Sequence, residues 1–343
     1  MPSLTLESGV EFFYTDSGAV ANADYITLVI IHGHTFHSGT FRRLHPFAQP
    51  NSLRIISVNR REYPGSSPYT DEDLRVFGEG SEAERASLLG RQGRDLALFV
   101  DGLIRDLSIP KAGGIALVGW SLGTIFLFCL IACIETLPVE TKERLSCFVH
   151  TVILLQPPSL ALGLPTPEGW LIPHTDPNIS PEARGPAFAK WVSSYFIHGD
   201  LSTRSLDHLT YSNTDPRKSP TTDSLEPEDY FAIADFAPAE KYDSIVGLPP
   251  FEPLVFNQMA KALFDSGVRA AWSGAKFWNV YGNAEPWNII YAAWFLEDRS
   301  RAADALAINF KIIEGGNHFI AWEEPGQVIK ALKECLPISL NNP

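Results

Sequence analysis

The segment Gly114-Ile115-Ala116-Leu117-Val118-Gly119-Trp120-Ser121-Leu122-Gly123-Thr124-Ile125-Phe126-Leu127-Phe128 passes from a strand-like run, through a tight turn, into a helix-like run. Residues 114–118 are short and continuously apolar, as a strand buried on both faces of a parallel sheet should be. Residues 122–137 are apolar nearly all round, with Ile125, Phe126, Leu127, Phe128, Leu130 and Ile131, and predict a helix buried against that sheet. Between them lies Gly119-Trp120-Ser121-Leu122-Gly123. A Gly-x-Ser-x-Gly pattern recurs by chance, but a strand before it and a helix after it is the setting in which it lifts a serine out of a sheet. The sharp turn strains the serine backbone, and small residues at 119 and 123 relieve the crowding on either side. Ser121 then sits at a helix N-terminus, where negative charge is favoured. The plainer reading makes the glycines packing residues and Ser121 a helix cap.

The flanking chain repeats the alternation. Runs at 26–31, 53–58 and 148–155 are short, apolar and rich in β-branched residues, with helical candidates at 41–47 and within 81–107 between them. Strand alternating with helix implies βαβ units, hence an α/β fold with a doubly wound, mostly parallel sheet. Residues 4–7 and 10–15 alternate in the two-residue period of strands around Ser8-Gly9, which predicts an N-terminal antiparallel hairpin. The rhythm breaks near residue 156, where Pro157, Pro158, Pro165, Pro167, Pro173, Pro177, Pro181 and Pro186 forbid long strands. It resumes with a strand at 276–281, a helix near 287–296, a strand at 308–313 and a last helix over 325–335. Residues 1–156 and 275–343 therefore predict one core domain. Residues 157–274 predict an inserted, mainly helical cap over the carboxyl ends of the strands, where open α/β sheets bind ligands.

Composition narrows the partners. Of 343 residues, 45% are hydrophobic and 20% charged, as in an ordinary globular protein, and the length suits one large core with an insertion. A net charge of −13 leaves no basic face to release counterions from a phosphate backbone, so nucleic acid is not an expected partner. The four cysteines, Cys129, Cys133, Cys147 and Cys335, form no compact framework and read as free buried thiols. No histidine lies at ligand spacing from Cys129 and Cys133, so no metal site is expected. Met1-Pro2-Ser3-Leu4-Thr5 lacks the basic and apolar regions of a secretory signal, and no stretch is long and apolar enough to span a membrane. A cytoplasmic protein, monomeric or homodimeric, is expected.

With its elements in this order the chain resembles the α/β-hydrolase family, in particular the capped branch of esterases, lipases, thioesterases and epoxide hydrolases. Tyr14-Thr15-Asp16-Ser17-Gly18 is similar to the end of the family's first hairpin, and His32-Gly33-His34 to its His-Gly signature. The resemblance implies an α/β-hydrolase fold with Ser121 as nucleophile. It implies that the backbone N–H groups of His34 and Leu122 face an oxyanion, while His32, Gly33, Gly119 and Gly123 shape the supporting turns. It also implies the chain order serine, carboxylate, histidine, with the base in the loop after the last strand. Among nine histidines His318 meets that condition, within Glu314-Gly315-Gly316-Asn317-His318-Phe319. Tyr281-Gly282-Asn283-Ala284-Glu285-Pro286 is similar to the family's Gly-x-x-acid-Pro turn, with Glu where Asp is more frequent, and points to Glu285 as the acid. The family's alternative position, after the sixth strand, reads Leu155-Gln156-Pro157-Pro158 and has no carboxylate. His34 and His37 come too early for the base, His150 lies in a strand, and His174, His198 and His208 belong to the insertion, where they read as solvated or core hydrogen-bonded more readily than as substrate contacts. Asn59-Arg60-Arg61-Glu62-Tyr63-Pro64-Gly65-Ser66 is similar to the family's Arg- and Gly-containing turn, in which Arg61 would fix loops.

A serine hydroxyl needs a base, and the base needs an orienting group. Ser121, His318 and Glu285 supply that set, and the expected activity is cleavage of a carboxylic ester or thioester of a neutral, apolar small molecule through an acyl-enzyme, with no cofactor. Epoxide and haloalkane hydrolysis use an aspartate at the elbow and do not fit Ser121. C–C hydrolysis, lyase chemistry and acyl transfer in a biosynthetic pathway share the same residues, and a non-catalytic binding protein of this fold is a second class of function. The insertion's Trp170, Trp191, Tyr195, Phe196, Tyr230, Phe231 and Phe236 read equally as a pocket under a lid and as the lid's own core.

Overall fold

The computed structural model describes residues 2–21, 24–303 and 308–337. Met1, from which the missing signal is read, and the core domain's expected limit at residue 343 lie outside them. Eight strands form one sheet in the order β1-β2-β4-β3-β5-β6-β7-β8. They are β1 (Ser3–Thr5), β2 (Glu11–Asp16), β3 (Ile26–Ile31), β4 (Leu53–Val58), β5 (Ile115–Trp120), β6 (Val149–Leu155), β7 (Lys276–Gly282) and β8 (Asn309–Ile313). The β1–β2 and β2–β4 pairings are antiparallel and all others are parallel.

β3, β4 and β5 are buried along their whole lengths, so their side chains alternate between two apolar layers rather than between core and water. Val29, Ile31 and Leu117 face one layer, with Leu96 and Val100 of α1 (Glu82–Asp106) and Phe126 of α2 (Gly123–Ala132). Leu28, Ile30 and Val118 face the other, with Phe41, Leu44 and the last helix. β3 lies between β4 and β5, and the chain crosses it on the way from β4 to β5. The chain therefore leaves β3 and β5 toward opposite edges of the sheet, the switch in strand order at which open α/β sheets bind ligands.

Between β6 and β7 no strand joins the sheet among the described residues. Within that stretch α3 (Glu252–Phe264) buries Val255, Met259 and Leu263 in the same layer as α1 and α2. Earlier parts of the segment behave differently: Ile172 and Leu209 join Trp287, Ile290 and Trp294 of α4 (Trp287–Ala302) in a third cluster. The helix expected over 122–137 stops at Ala132, and a 3-10 turn at Ile134–Thr136 follows. The helix expected at 41–47 is a 3-10 segment, Ser38–Leu44, ahead of a single α-turn, His45–Ala48, that begins at Pro46 as its second residue. Helices at Asp71–Glu79 and Val139–Phe148 have no counterpart in the sequence reading. Cys129, Cys133 and Cys335 are buried free thiols, but Cys147 is exposed, which corrects the expectation of four buried ones; the helix that carries it buries only Thr141 and Leu145. No described helix is long and apolar enough to cross a membrane.

Candidate active site

Ser121 follows the last residue of β5 with φ at 54°. That left-handed conformation costs a non-glycine residue roughly 1–3 kcal/mol and persists only where surroundings enforce it. Here its N–H donates to Leu155 O of β6 at 2.9 Å, and α2 starts two residues later. A Cβ on Gly123 would stand 2.3 Å from Ile31 O and 2.4 Å from His32 O, so only glycine lets α2 begin against the end of β3. Gly33 is as constrained, because a Cβ there would stand 2.7 Å from the Ser121 Cβ. Gly119 likewise abuts the Thr124 backbone. The β3 loop and the β5 turn thus meet at the serine.

His34 follows Gly33, and Leu122 follows Ser121. Among the described residues neither backbone N–H donates to a protein acceptor. The His34 ring is held on both sides, Nδ1 lying 2.7 Å from Thr35 Oγ1 and Nε2 2.9 Å from Ser244 Oγ. Burial, helped by His174 and Arg60, holds its pKa well below the usual imidazole range, so the ring is neutral.

His318 lies in the loop after β8, and its Nδ1 is 2.9 Å from Glu285 Oε2. Glu285 Oε1 accepts the Gly282 N–H at 2.8 Å, and the carboxylate is fully buried in the turn after β7. The two loops are locked together: the Ala284 N–H donates to Gly316 O at 3.1 Å, and a Cβ on Gly282 would stand 2.1 Å from that same oxygen. Trp120 stacks on the imidazole at 5.0 Å, and its Nε1–H donates to Gln156 Oε1 at 2.7 Å. Gln156 Nε2 in turn donates to Asn317 O at 3.0 Å, one residue before His318. Among the described residues no hydrogen bond joins Ser121 Oγ to the ring. Both groups line one cavity, and such contacts characteristically tighten only when substrate is bound.

A second buried network underlies the His32-Gly33-His34 loop. Arg60 donates to His32 O at 3.1 Å and Gly33 O at 2.8 Å, and forms a two-pronged ion pair with Asp243 at 2.9 and 2.6 Å. Burial opposes the guanidinium charge, yet Asp243 outweighs it and the pKa of Arg60 is raised. The Tyr63 hydroxyl donates to Asp243 at 2.6 Å and accepts the Thr35 N–H at 3.0 Å. His32 Nε2 accepts the Arg60 N–H at 3.1 Å, which leaves Nδ1–H facing Gly33 O at 2.9 Å. Arg60 is therefore the residue of that turn that braces the loop beside Ser121, while Arg61 ties Asp73 and the Pro68 carbonyl. Asp243 belongs to the inserted segment, at the end of the π-helical turn Ala239–Asp243.

The cavity, about 550 Å³ of atom-free space including the part open to solvent, is walled by Leu160, Ile172, Phe188 and Trp191 besides Ser121, His34 and His318. His174 of the insertion reaches this wall, the less favoured of the two readings its sequence position allowed. His198 instead bonds the Glu285 carbonyl at 2.7 Å, and His150 bonds Cys147 O at 3.3 Å. Trp120, Gln156, Arg60 and Asp243 also escaped the sequence reading as site residues. Trp120 adjoins the serine within the motif and Arg60 stands in the Arg- and Gly-containing turn; those placements were the available signals. Among the described residues no group of three or more His, Cys, Asp or Glu is disposed to hold a metal ion.

Residues 28–331 match the profile of the alpha/beta hydrolase family. No curated protein matches the chain. Among solved structures, one from Burkholderia cenocepacia, provisionally assigned as an aryl esterase, shares 16% identity at a TM-score of 0.51, over 97% of this chain and 96% of its own. A carboxylesterase of the thaumarchaeon Nitrososphaera gargenis aligns at 16% identity and TM-score 0.49 over 97% of each chain. The thioesterase domain of the curacin biosynthetic pathway aligns at 13% identity and TM-score 0.48, over 96% of this chain and 98% of its own. With the sheet order, the strained elbow and a family match over most of its length, the chain belongs to the alpha/beta hydrolase family.

Proposed function

We propose that the protein is a serine hydrolase that cleaves a carboxylic ester or thioester of a neutral, largely apolar small molecule through an acyl-enzyme. The observation that carries this reading is the buried Glu285–His318 pair, opening onto the cavity that also holds Ser121. The unpaired His34 and Leu122 amides beside it support the same reading.

The substrate carbonyl lies over Ser121 with its oxygen toward those two amides. Ser121 Oγ attacks the carbonyl carbon while His318 Nε2 accepts the hydroxyl proton. The Nδ1–H stays donated to Glu285, which stabilises the imidazolium without taking the proton. Collapse of the tetrahedral intermediate breaks the bond to the leaving oxygen or sulfur, which receives the proton from His318. Water then attacks the acyl-enzyme by the same route, releasing the acid and restoring Ser121. Each oxyanion donor is worth on the order of 10² to 10³ in rate. The inserted segment, residues 157–274, serves as the lid, and the apolar wall at Leu160, Ile172 and Phe188 favours an apolar group in the cavity.

Ser121→Ala should lower kcat on p-nitrophenyl butyrate by about 10⁴-fold or more with little change in Tm. A fluorophosphonate should label Ser121 in the wild type alone. Turnover retained in the variant excludes Ser121 as nucleophile; a wild-type chain that neither turns over nor labels is a binding protein of this fold.

A further inference from the structure

The side chains of the Arg60–Asp243 ion pair are only 2% and 4% exposed. A buried pair is a poor source of stability, because desolvating two charges offsets much of their attraction, and an apolar pair of similar size often holds a fold as well. What an apolar pair cannot do is donate to carbonyls. Besides its two bonds to Asp243, the Arg60 guanidinium reaches His32 O at 3.1 Å and Gly33 O at 2.8 Å. Gly33 O belongs to the same planar peptide as the His34 N–H, and in a trans peptide, as this one is, the two groups point opposite ways. Fixing the carbonyl therefore fixes the direction of the N–H, and a cation on the oxygen polarises the peptide, which makes the N–H a better donor. Gly33 abuts the nucleophile, since a Cβ there would stand 3.2 Å from Ser121 Oγ. The inserted segment also meets the His34 ring: Ser244 Oγ lies 2.9 Å from Nε2, and Asp243, next to Ser244, closes the π-helical turn Ala239–Asp243. Such turns are rare and frequently lie at functional sites. His34, Asp243 and Ser244 all line the cavity that holds Ser121.

We infer that Arg60 and Asp243 are positioning residues of the reaction. Arg60 aims the His34 N–H at the oxyanion through the Gly33 carbonyl, and Asp243 holds Arg60, so the oxyanion site is complete only while the inserted segment is docked. An oxyanion forms only as the carbonyl is attacked, so the effect falls on the transition state and not on ester binding. The inference rests on the hydrolase reading, in which the His34 N–H is an oxyanion donor.

Removing both charges together leaves no unpaired buried ion, so the double variant Arg60→Met with Asp243→Asn is the test. Arg60→Lys serves if the double variant does not fold, because an ammonium keeps the charge but lacks the guanidinium fork that reaches both carbonyls. On p-nitrophenyl butyrate kcat should fall by about 10- to 100-fold while KM stays within about threefold. Propyl trifluoromethyl ketone probes the oxyanion directly. Ser121 Oγ adds to its carbonyl carbon, the hydroxyl proton passes to His318, and the carbonyl oxygen becomes the oxyanion. Its Ki should rise by about tenfold or more, in proportion to the loss in kcat/KM. A merely structural role would thin the folded population, lowering apparent kcat but leaving KM and Ki of the remaining molecules unchanged. A Ki within about threefold of wild type, or a KM that rises with kcat unchanged, overturns the inference. A wild type that neither cleaves the ester nor binds the ketone fails the hydrolase reading and takes the inference with it. A wild type that does both, beside a variant that matches it, fails the inference alone.

Discussion

Glu285 stands where the family more often has aspartate, and its geometry accounts for the longer side chain. One carboxylate oxygen is held by the Gly282 N–H at 2.8 Å and the other meets His318 Nδ1 at 2.9 Å, so the extra methylene spans a fixed gap between turn and ring. Glu285→Asp withdraws the carboxylate by about one bond length, roughly 1.5 Å, and must break one of the two contacts. It should lower kcat/KM by about 10- to 100-fold. Glu285→Gln keeps the shape but favours the wrong tautomer, and kcat should fall by about 10⁴-fold. Steady-state kinetics on p-nitrophenyl butyrate measures both, and a glutamine variant within threefold of wild type would remove Glu285 from the mechanism. Gln156 shows the limit of residue-scale reading: in the sequence it marks only a missing carboxylate, whereas in the fold its amide links Trp120 to the His318 loop.

At the scale of elements, α2 and β3 touch through a glycine. Gly123→Ala puts a methyl about where Ile31 O and His32 O lie, so helix and strand must separate. Overpacking of this kind costs about 1–3 kcal/mol. Urea unfolding should register a loss of that size, and turnover should fall sharply because the same shift moves Leu122 and Ser121; an unchanged midpoint would mean that α2 can slide without strain. α1, with its apolar period, and α2, apolar on every side, are legible in sequence. Val139–Phe148 is not, since two buried residues set no period. Asp71–Glu79 is a different case: Thr70 and Asp73 form a capping box, a local signal present in the sequence but unused in its reading.

Across the whole molecule, Asp243 fastens the inserted segment to the loop beside Ser121 through Arg60 and Tyr63. Asp243→Asn leaves the Arg60 charge buried without its counter-charge, and breaking such a pair costs about 3–5 kcal/mol. Urea unfolding checks this, and a loss below about 1 kcal/mol would show that the tie is dispensable. Protonation acts on the same scale. Burial lowers the pKa of His37 and of His174 to about 4, whereas an unfolded imidazole titrates near 6.5. Between those values the unfolded chain binds protons that the native chain does not, so stability rises with pH through the window and falls on acidification. The urea midpoint should therefore drop as pH is lowered from 6.5 to 5, and more gently in His37→Gln. Equal slopes for the two proteins would show that His37 does not contribute.

The sequence by itself determined the strand and helix alternation and the elbow, because these depend on local period and turn chemistry, whereas Glu285 and His318 enter through the family resemblance. Only the tertiary structure decided which polar groups are buried together. Gln156 and Asn317 are 161 positions apart, and Arg60 and Asp243 are 183. No local pattern records such pairs, since burial and partnership arise only when distant parts of the chain pack together in the folded layers.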